Sequence, residues 1–391
     1  MYKFTLNSYI ILLFVLVLIL SCSKVDIKND MNSSKFFIET IALTLDDSTS
    51  NEFYRVQYVH EFGNDFLFVL NSLTKSLDVY DLRSGNLNKR IYYPVDGPNG
   101  ISSIVQGFYY HNDDSIFLFP QGRLNGSLLL DIKGDVKSVI KPPAIETEKF
   151  GIINHVSTSA NPSFFHNNMI YLSRYPLFDL QNPSNINSTY PLGVKYDLTK
   201  NLILMDSTIV YPEFYMNNIW STFDLTFSRV FDGESFIFSW PLLDQLLKIK
   251  YGGNEVESYL AKSKKDNSKS KPFSMRPSDK MEDEVSLSNL RYGEILYDEY
   301  SRLYYRIVYH PLKHYTNETF PTHRQARDFS VLVLDKNFNL LQEVSFPGKK
   351  YLVFNAFVGP KGLYLTRNNP FYDELNEDLV YIDIFSFRLN E

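Results

Sequence analysis

Apolar and polar residues alternate with a period of two along most of the chain. The clearest copies of this pattern end in an aspartate and run into a turn rich in Gly and Asn. They cover residues 77–81, 128–131, 194–197, 331–335 and 379–383, with a sixth copy at 246–250 that ends in lysine. This period is typical of β-strands, and Gly and Asn tolerate the positive φ angles that hairpin turns require. The chain is therefore predicted to be all-β.

A second apolar strand precedes each copy, at residues 66–70, 116–119, 169–173, 235–239, 303–308 and 363–366. Further strands lie upstream, for example at 54–59, 103–108 and 353–357. Each unit thus contains four antiparallel strands, which we name A to D in chain order. Six such units predict a β-propeller with six four-stranded blades. A seven-bladed ring and a pair of β-sandwiches are the alternatives, whereas the absence of a long 3.6-residue period argues against a helical protein.

The two ends of the chain complement each other. Only eight residues follow Asp383, too few for a good fourth strand, whereas residues 36–45 form an alternating strand without partners of its own. We predict that this N-terminal strand completes the last blade, which closes the ring and removes an exposed sheet edge. The propeller domain would then cover residues 36–391.

The spacing between the repeats is uneven. Long insertions fall between strands B and C, at 174–192, 310–328 and 367–378, and between strand D and the next strand A, above all at 261–290. In a propeller both connections emerge on the same face, and insertions that cluster on one face usually mark a binding face. This pattern favours ligand or protein binding at that face, with functionless surface loops as the alternative.

The first 22 residues differ from the rest. Lys3 precedes an apolar run at 9–20, which matches a signal-peptide core and is shorter than the ~20 residues of a membrane-spanning helix. The run ends in Ile19-Leu20-Ser21-Cys22, which resembles the bacterial lipobox. The resemblance implies a signal peptide over 1–21 and acyl chains such as palmitate on Cys22. Residues 23–35 are polar and lack a periodic apolar pattern, so 22–35 is predicted to be the lipidated cysteine and a flexible tether. An uncleaved signal anchor is the alternative.

Composition narrows the functional classes. Cys22 is the only cysteine, so no disulfide can form within the chain. The 39 basic and 45 acidic residues give no support for nucleic-acid binding. We find no Walker A loop, dinucleotide glycine fingerprint, HExxH motif or Gly-x-Ser-x-Gly elbow. No cofactor is predicted, and enzymatic activity is left open but not favoured.

Three residues share the end of strand B in different units. Arg174 and Arg367 lead into long insertions, and Trp240 has the equivalent position in the fourth unit. Arginine and an aromatic ring on one rim can bind a carboxylate, a phosphate or a sugar. The alternative is a structural salt bridge and a packed indole.

One insertion holds His310, His314 and His323. No metal site is predicted there, because Pro311 argues against a helix that would align the first two; His310 is kept as a candidate ligand-binding residue. The basic stretch at 261–271 is followed by acidic residues at 279 and 282–284, and this pairing predicts a solvated loop.

The lipobox, the single β-rich domain and the turn Asp96-Gly97-Pro98-Asn99-Gly100-Ile101 together resemble the Bacteroidota lipoproteins grouped as domain of unknown function 4221. The resemblance covers roughly residues 35–391. It implies a propeller without an established activity, so it supplies no functional residues. Ser23, after the lipidated cysteine, resembles an outer-membrane sorting signal.

These observations predict a lipid-anchored propeller in the cell envelope, at the outer membrane, that binds a ligand or partner through the face with the long connections. The membrane and an envelope protein or glycan would be its partners. The alternative is a glycan hydrolase or lyase, whose hydrolytic form needs two facing carboxylates ~5–9.5 Å apart in the channel. A structural scaffold is a third hypothesis.

Overall fold

The computed structural model describes residues 31–101, 104–143, 153–267, 270–312 and 325–388. Six antiparallel sheets form a ring, and most strands pair with the strand that precedes or follows them in the chain. The predicted all-β, six-bladed propeller is therefore confirmed, and the seven-bladed and sandwich alternatives are wrong.

The strands follow one another blade by blade. Two precede the repeat: β1 (Met31–Asn32) and β2 (Phe37–Thr44). Blade 1 contains β3 (Val56–Glu61), β4 (Asn64–Asn71), β5 (Ser76–Asp81) and β6 (Leu87–Tyr92). Blade 2 contains β7 (Val105–Asn112), β8 (Ser115–Pro120), β9 (Ser127–Leu130) and β10 (Val136–Ile140). Blade 3 contains β11 (His155–Val156), β12 (Phe164–His166), β13 (Met169–Arg174), β14 (Gly193–Asp197) and β15 (Leu202–Asp206).

Blade 4 contains β16 (Ser228–Phe231), β17 (Ser235–Ser239), β18 (Gln245–Lys250) and β19 (Val256–Leu260). Blade 5 contains β20 (Arg291–Asp298), β21 (Leu303–Tyr309), β22 (Phe329–Leu334) and β23 (Leu340–Phe346). Blade 6 contains β24 (Phe357–Gly359), β25 (Gly362–Thr366) and β26 (Leu379–Phe385). Short 3-10 turns lie at Ser33–Lys35, Pro183–Asn185, Glu213–Tyr215, Thr222–Leu225 and Val353–Asn355, and the described ranges contain one α-helix, α1, at Asp279–Ser288.

The repeated aspartate at the end of strand C has a local role. The Oδ1 atom of Asp81 accepts hydrogen bonds from the backbone N–H groups of Arg83 (2.8 Å) and Ser84 (2.9 Å). Asp197 and Asp335 accept equivalent bonds from the turns that follow them. Such Asx turns fix the chain reversal between strands C and D, so the repeat is a turn signal at these positions. The copy at 379–383 was predicted wrongly as a strand end, because Asp383 lies inside β26 and its carboxylate pairs with Arg367.

The closing strand lies where the sequence predicts it. Strand β2 pairs antiparallel with β26 and supplies the fourth strand of blade 6, with Leu43 opposite Val380. The Leu43 side chain is fully buried and packs in a cluster that includes Leu67 and Val69 of blade 1. The N-terminal strand thus joins the last blade to the first.

One predicted strand is wrong. Residues Val353–Asn355 form a 3-10 turn, and strand A of blade 6 starts later, at Phe357. The turn is held by the backbone hydrogen bond from Ala356 to Val353 (2.8 Å) and by the Asn355 amide, which donates to the carbonyl oxygen of Phe53. The apolar residues of this segment are buried by packing of the turn rather than by a pleated strand.

The insertion at 261–290 is more ordered than predicted. Helix α1 starts after Ser278, whose Oγ accepts from the backbone N–H of Met281, and the Glu282 side chain is only 3% exposed. In the basic part, Ser263 is buried against Glu343 (2.6 Å). The predicted solvated loop is therefore wrong for these residues, because the insertion packs on the ring; residues 268–269 lie outside the described part.

Of the predicted signal peptide and tether, the structure describes only residues 31–35. Residues 31–35 of the proposed tether form β1 and a 3-10 turn, and the flexible tether over 22–35 stays a prediction. The signal peptide and Cys22 lie outside the described residues. Across the described ranges no helix is both long and apolar enough to span a membrane.

Candidate ligand-binding site in the channel

A cavity of about 590 Å³ opens at the centre of the ring. Every blade contributes a residue within about four positions of the start of its strand A: Arg55, Gln106, Val156, Ser228, Glu294 and Val353. We call this cavity the channel mouth. Because strand A begins where the D–A connections end, the channel mouth lies on the face that carries the B–C and D–A connections. A narrower cavity of about 220 Å³ shares Arg55 and also receives residues from all six blades.

The connections themselves complete the wall of the channel mouth. Phe223 and Thr226 come from the D–A connection before blade 4, and Ser286 comes from α1. Tyr175 and Gln325 belong to B–C connections of blades 3 and 5. The face that the uneven repeat spacing singles out therefore carries a deep cavity that its insertions help to build.

Two of the three arginines in the wall are held by the protein. Arg291 forms a two-pronged ion pair with Asp224, with nitrogen–oxygen distances of 2.5 and 3.0 Å. Arg327 donates to the carbonyl oxygens of His310 (2.7 Å) and Ser286 (3.0 Å), and so ties the B–C connection of blade 5 to α1. These two guanidinium groups serve as structural anchors beside the cavity.

Arg55 is placed differently. Its Nε donates to the Gln106 carbonyl oxygen and its Nη1 to the Tyr54 carbonyl oxygen, each at 2.7 Å. Within the described parts of the chain no carboxylate forms an ion pair with it. Burial lowers the pKa of Arg55, and the nearby Tyr175 hydroxyl offsets this only in part. The group still carries its charge, because an arginine pKa starts far above neutrality.

Glu294 is the acidic group of the channel mouth. Burial raises its pKa, while a hydrogen bond from the Tyr309 hydroxyl to its Oε2 (2.7 Å) acts in the opposite direction. Burial, together with the neighbouring Glu294 carboxylate, raises the pKa of the Tyr309 hydroxyl well above its usual range. Glu294 therefore takes up a proton more readily than an exposed glutamate does.

Glu294 reaches the cavity through a break in the alternation. The pairing of β20 with β21 shifts between Tyr292 and Ile295, so Gly293 and Glu294 form a β-bulge. A Cβ atom on Gly293 would lie 2.5 Å from the Tyr309 ring, so only glycine fits there. Bulges of this kind redirect a side chain, and here the redirected residue lines the channel.

Aromatic rings supply the apolar part of the site. Phe223, Phe227 and Phe354 line the channel mouth. Outside its wall, Tyr54 stacks on Phe354 with an interplanar angle of 5° and a centroid distance of 6.4 Å. The Tyr175 hydroxyl accepts a hydrogen bond from Asn161 (3.1 Å) and donates to the Phe227 carbonyl oxygen (3.3 Å). A mostly apolar wall with a few fixed polar groups is the usual composition of a small-molecule site.

The channel mouth offers little for hydrolysis. Glu294 is the one carboxylate among the described residues of its wall, whereas hydrolysis of a glycosidic bond needs two. No group of three or more histidine, cysteine or acidic side chains with metal-binding geometry occurs in the described ranges.

Two sequence-predicted residues are packed inside blades. Arg174 is buried, contacts Met205 and hydrogen-bonds to the Tyr190 hydroxyl, over whose ring its guanidinium also lies, 4.5 Å from the centroid. Trp240 is buried with its ring centroid 5.1 Å from that of Phe227. Neither lines the channel mouth.

The other two also lie away from it. Arg367 pairs with Asp383 (Nε to Oδ2, 2.8 Å), and His310 contacts the Ser330 hydroxyl through Nε2 (2.7 Å). Burial lowers the pKa of Arg367, but the bonds to Asp383 outweigh it and the pKa rises. The structure does not bring the four predicted residues together, and ligand binding by them stays a prediction. His314 and His323 lie outside the described residues.

Comparisons with known proteins extend this description. No curated protein is significantly similar to the chain. The family model described as Domain of unknown function (DUF4221) matches residues 33–345. A solved DUF4221 family member from Bacteroides vulgatus ATCC 8482 is 23% identical, with a TM-score of 0.76, over 90% of this chain and 97% of that one.

A second solved structure, the calcium-binding protein regucalcin from Agrobacterium tumefaciens strain C58, is 12% identical with a TM-score of 0.43, over 90% of this chain and 98% of that one. The likeness to the Bacteroides vulgatus protein supports the fold, and the family match spans well over half of the sequence. The chain therefore belongs to the family described as Domain of unknown function (DUF4221).

Proposed function

We propose that this protein is an exported, lipid-anchored binding module that takes a small organic ligand in the channel mouth. The observation that carries the proposal is the cavity of about 590 Å³ with walls from all six blades. Its volume falls within the range of about 300–1,000 Å³ that is usual for small-molecule sites. The long connections that make the repeat spacing uneven contribute residues to this cavity, so ligand binding would account for several of them at once.

Binding is favoured over catalysis by the chemistry of the wall. Arg55 supplies a fixed charge, aromatic rings supply apolar surface, and Glu294 is a single carboxylate among the described wall residues. A glycan hydrolase or lyase is the second hypothesis. It would be supported by turnover of a polysaccharide that Glu294→Gln abolishes without reducing the affinity for that polysaccharide.

The binding proposal is tested by blocking the cavity. Thr226 lines the channel mouth and is half-buried, so Thr226→Trp fills space in the site. Ligand-detected NMR with a library of anionic, neutral and cationic fragments should give hits with the wild-type protein that disappear in this variant. Thr199→Trp is the matched control, because Thr199 is exposed in a C–D turn on the opposite face.

In the control the hits should persist, and both variants should melt within a few degrees of the wild type. Fragment hits that survive in Thr226→Trp, or that are lost equally in Thr199→Trp, would contradict binding in the channel mouth. A library without any hit for the wild type would also count against it.

The anchor has its own test. We expect the full chain to incorporate labelled palmitate in a bacterial host and to sediment with membranes, because the Cys22 thiol is the acceptor that a lipobox provides. Cys22→Ser should abolish labelling, whereas Ser23→Ala should retain it. Membrane association with an uncleaved N-terminus and no label in the wild type would instead support a signal anchor. Fractionation of the envelope tests the proposed outer-membrane location.

A further inference from the structure

We infer that the ligand of the channel mouth is an organic anion whose carboxylate binds the guanidinium of Arg55. The inference rests on the proposed binding function and adds the chemical class of the ligand. It depends on the charged groups of the wall, on the hydrogen bonds that hold Arg55, and on the other polar and aromatic groups that line the cavity.

The charged groups of the channel mouth differ in how far the protein itself engages them. The described wall contains three arginines, Arg55, Arg291 and Arg327, against the single carboxyl group of Glu294. Asp224 neutralises Arg291, and Arg327 is engaged by the carbonyl oxygens of His310 and Ser286. Arg55 is held through carbonyl oxygens alone and borders the cavity without a carboxylate partner in the described ranges. The surrounding chain is acidic, with a formal net charge of −6. A guanidinium in the wall of a concave site attracts an entering anion, and the acidic remainder of the chain does not compete for that anion as a cation would.

Arg55 is oriented before any ligand arrives. Bonds from Nε and Nη1 to two backbone carbonyl oxygens fix the plane of its guanidinium, and these bonds use two of its five N–H groups. The Gln106 side chain that neighbours it is also fixed, since its Oε1 accepts from the Gly122 backbone N–H (3.0 Å). A guanidinium held in this way binds a carboxylate at little cost in side-chain entropy.

Arg55 makes fewer structural hydrogen bonds than a fully engaged buried arginine of the same protein. Arg306, for comparison, is buried and donates to the Ser239 hydroxyl and to a set of backbone carbonyl oxygens in blade 4, and so has a full structural role. Arg55 has two such bonds and borders both cavities of the channel. Its remaining N–H groups are therefore available to a molecule that enters from the channel mouth.

The remaining polar groups suit the rest of an acidic ligand. The Oε1 atom of Gln325 is buried and meets no donor within the described ranges, so it can accept from a hydroxyl or amide on the ligand. Glu294 accepts a hydrogen bond from Tyr309, and burial raises its pKa. When its carboxyl group is protonated it attracts a cation poorly and can donate a hydrogen bond to the ligand. The ring of Phe354 lines the same cavity as Arg55 and offers apolar surface to the ligand.

The test compares three probes with one apolar body: 2-naphthoate, 2-naphthamide and 2-naphthylmethylamine. Isothermal titration of the full chain in detergent should give the tightest binding for the anion, about tenfold or more over the neutral amide, because a charge-assisted bond is stronger than a neutral one. The amine should bind no better than the amide. Equal or tighter binding of the amide or the amine would overturn the anion inference and leave the binding proposal standing.

The role of Arg55 is tested by substitution. Arg55→Met should weaken naphthoate binding by about 10- to 100-fold and leave naphthamide within about threefold. Arg55→Lys keeps the charge without the planar fork and should fall between the two. Arg83→Met is the control, since Arg83 is exposed in the C–D turn of blade 1.

Unchanged naphthoate affinity in both Arg55 variants would overturn the inference. Should Arg55→Met fail to fold, the lysine variant and the three probes on the wild type still decide it. If no probe binds at millimolar concentration and the fragment library also gives no hits, the proposed function fails together with the inference.

Discussion

Replacing Asp224 by alanine should lower the free energy of unfolding by about 3–5 kcal/mol, because it leaves a buried guanidinium without its counter-ion. The side chains of Asp224 and Arg291 are 3% and 5% exposed. Arg291 also donates to the carbonyl oxygens of Leu290 (2.9 Å) and Val285 (3.2 Å), so the pair fixes the end of α1 above the channel. Urea denaturation followed by intrinsic fluorescence measures the change.

An exposed pair in the same region provides the control for this prediction. Asp179 and Arg276 are 2.9 Å apart, but their side chains are 45% and 66% exposed. Asp179→Ala should therefore cost no more than about 1 kcal/mol. Asp224→Asn, which keeps an acceptor and loses the charge, should lie between these two. If the two alanine variants were equally stable, the buried pair would not anchor the insertion as we describe.

Leu43→Ala should cost about 2–5 kcal/mol, since it opens a cavity where the closing strand packs on the first blade. The Leu43 side chain is fully buried in a cluster that joins blades 1 and 6. Denaturant midpoints and melting temperatures of the purified variants measure the effect. Leu73→Ala, at a leucine that is 68% exposed, should stay within about 0.5 kcal/mol of the wild type.

The outcome at Leu43 bears on how the ring is held shut. A loss near 0.5 kcal/mol would mean that blade 6 keeps its place without the N-terminal strand. The larger loss would mean that the strand next to the proposed lipid anchor also secures the propeller. Any pull on the tether would then be carried by β2 and its partner β26.

The strands were predictable because successive side chains of a strand point to opposite faces of its sheet, so alternating apolar and polar residues indicate a strand. Predicted B and C strands agree with β4, β8, β17 and β26, among others, to within a few residues. The closing strand was predictable because the last unit lacks a fourth strand, whereas residues 36–45 form a strand without partners in a unit of its own. The residues of 353–357 misled the prediction because an apolar run can be buried in a turn as well as in a strand.

The site was harder to predict, since the channel is lined by strand A, whose pairing shifts in blades 2 and 5 and which is short in blades 3 and 6. Arg174 and Arg367 end B strands, and their partners lie within the blades, as the Arg367–Asp383 pair shows. Arg55 and Glu294 leave weaker signals in the sequence. Arg55 precedes a strand, and Glu294 is marked only by Gly293, which interrupts the alternation of β20. Neither signal identifies a channel residue before the blades are assembled into a ring.

The central claim is that the channel mouth binds the ligand, and a crystal structure of the protein with the tightest fragment hit tests it most directly. We predict electron density in the cavity bordered by Arg55 and Glu294, with an acidic group of the hit within hydrogen-bonding distance of the Arg55 guanidinium. Density for the hit on the face of the A–B and C–D turns, or between blades with the channel mouth empty, would contradict the account.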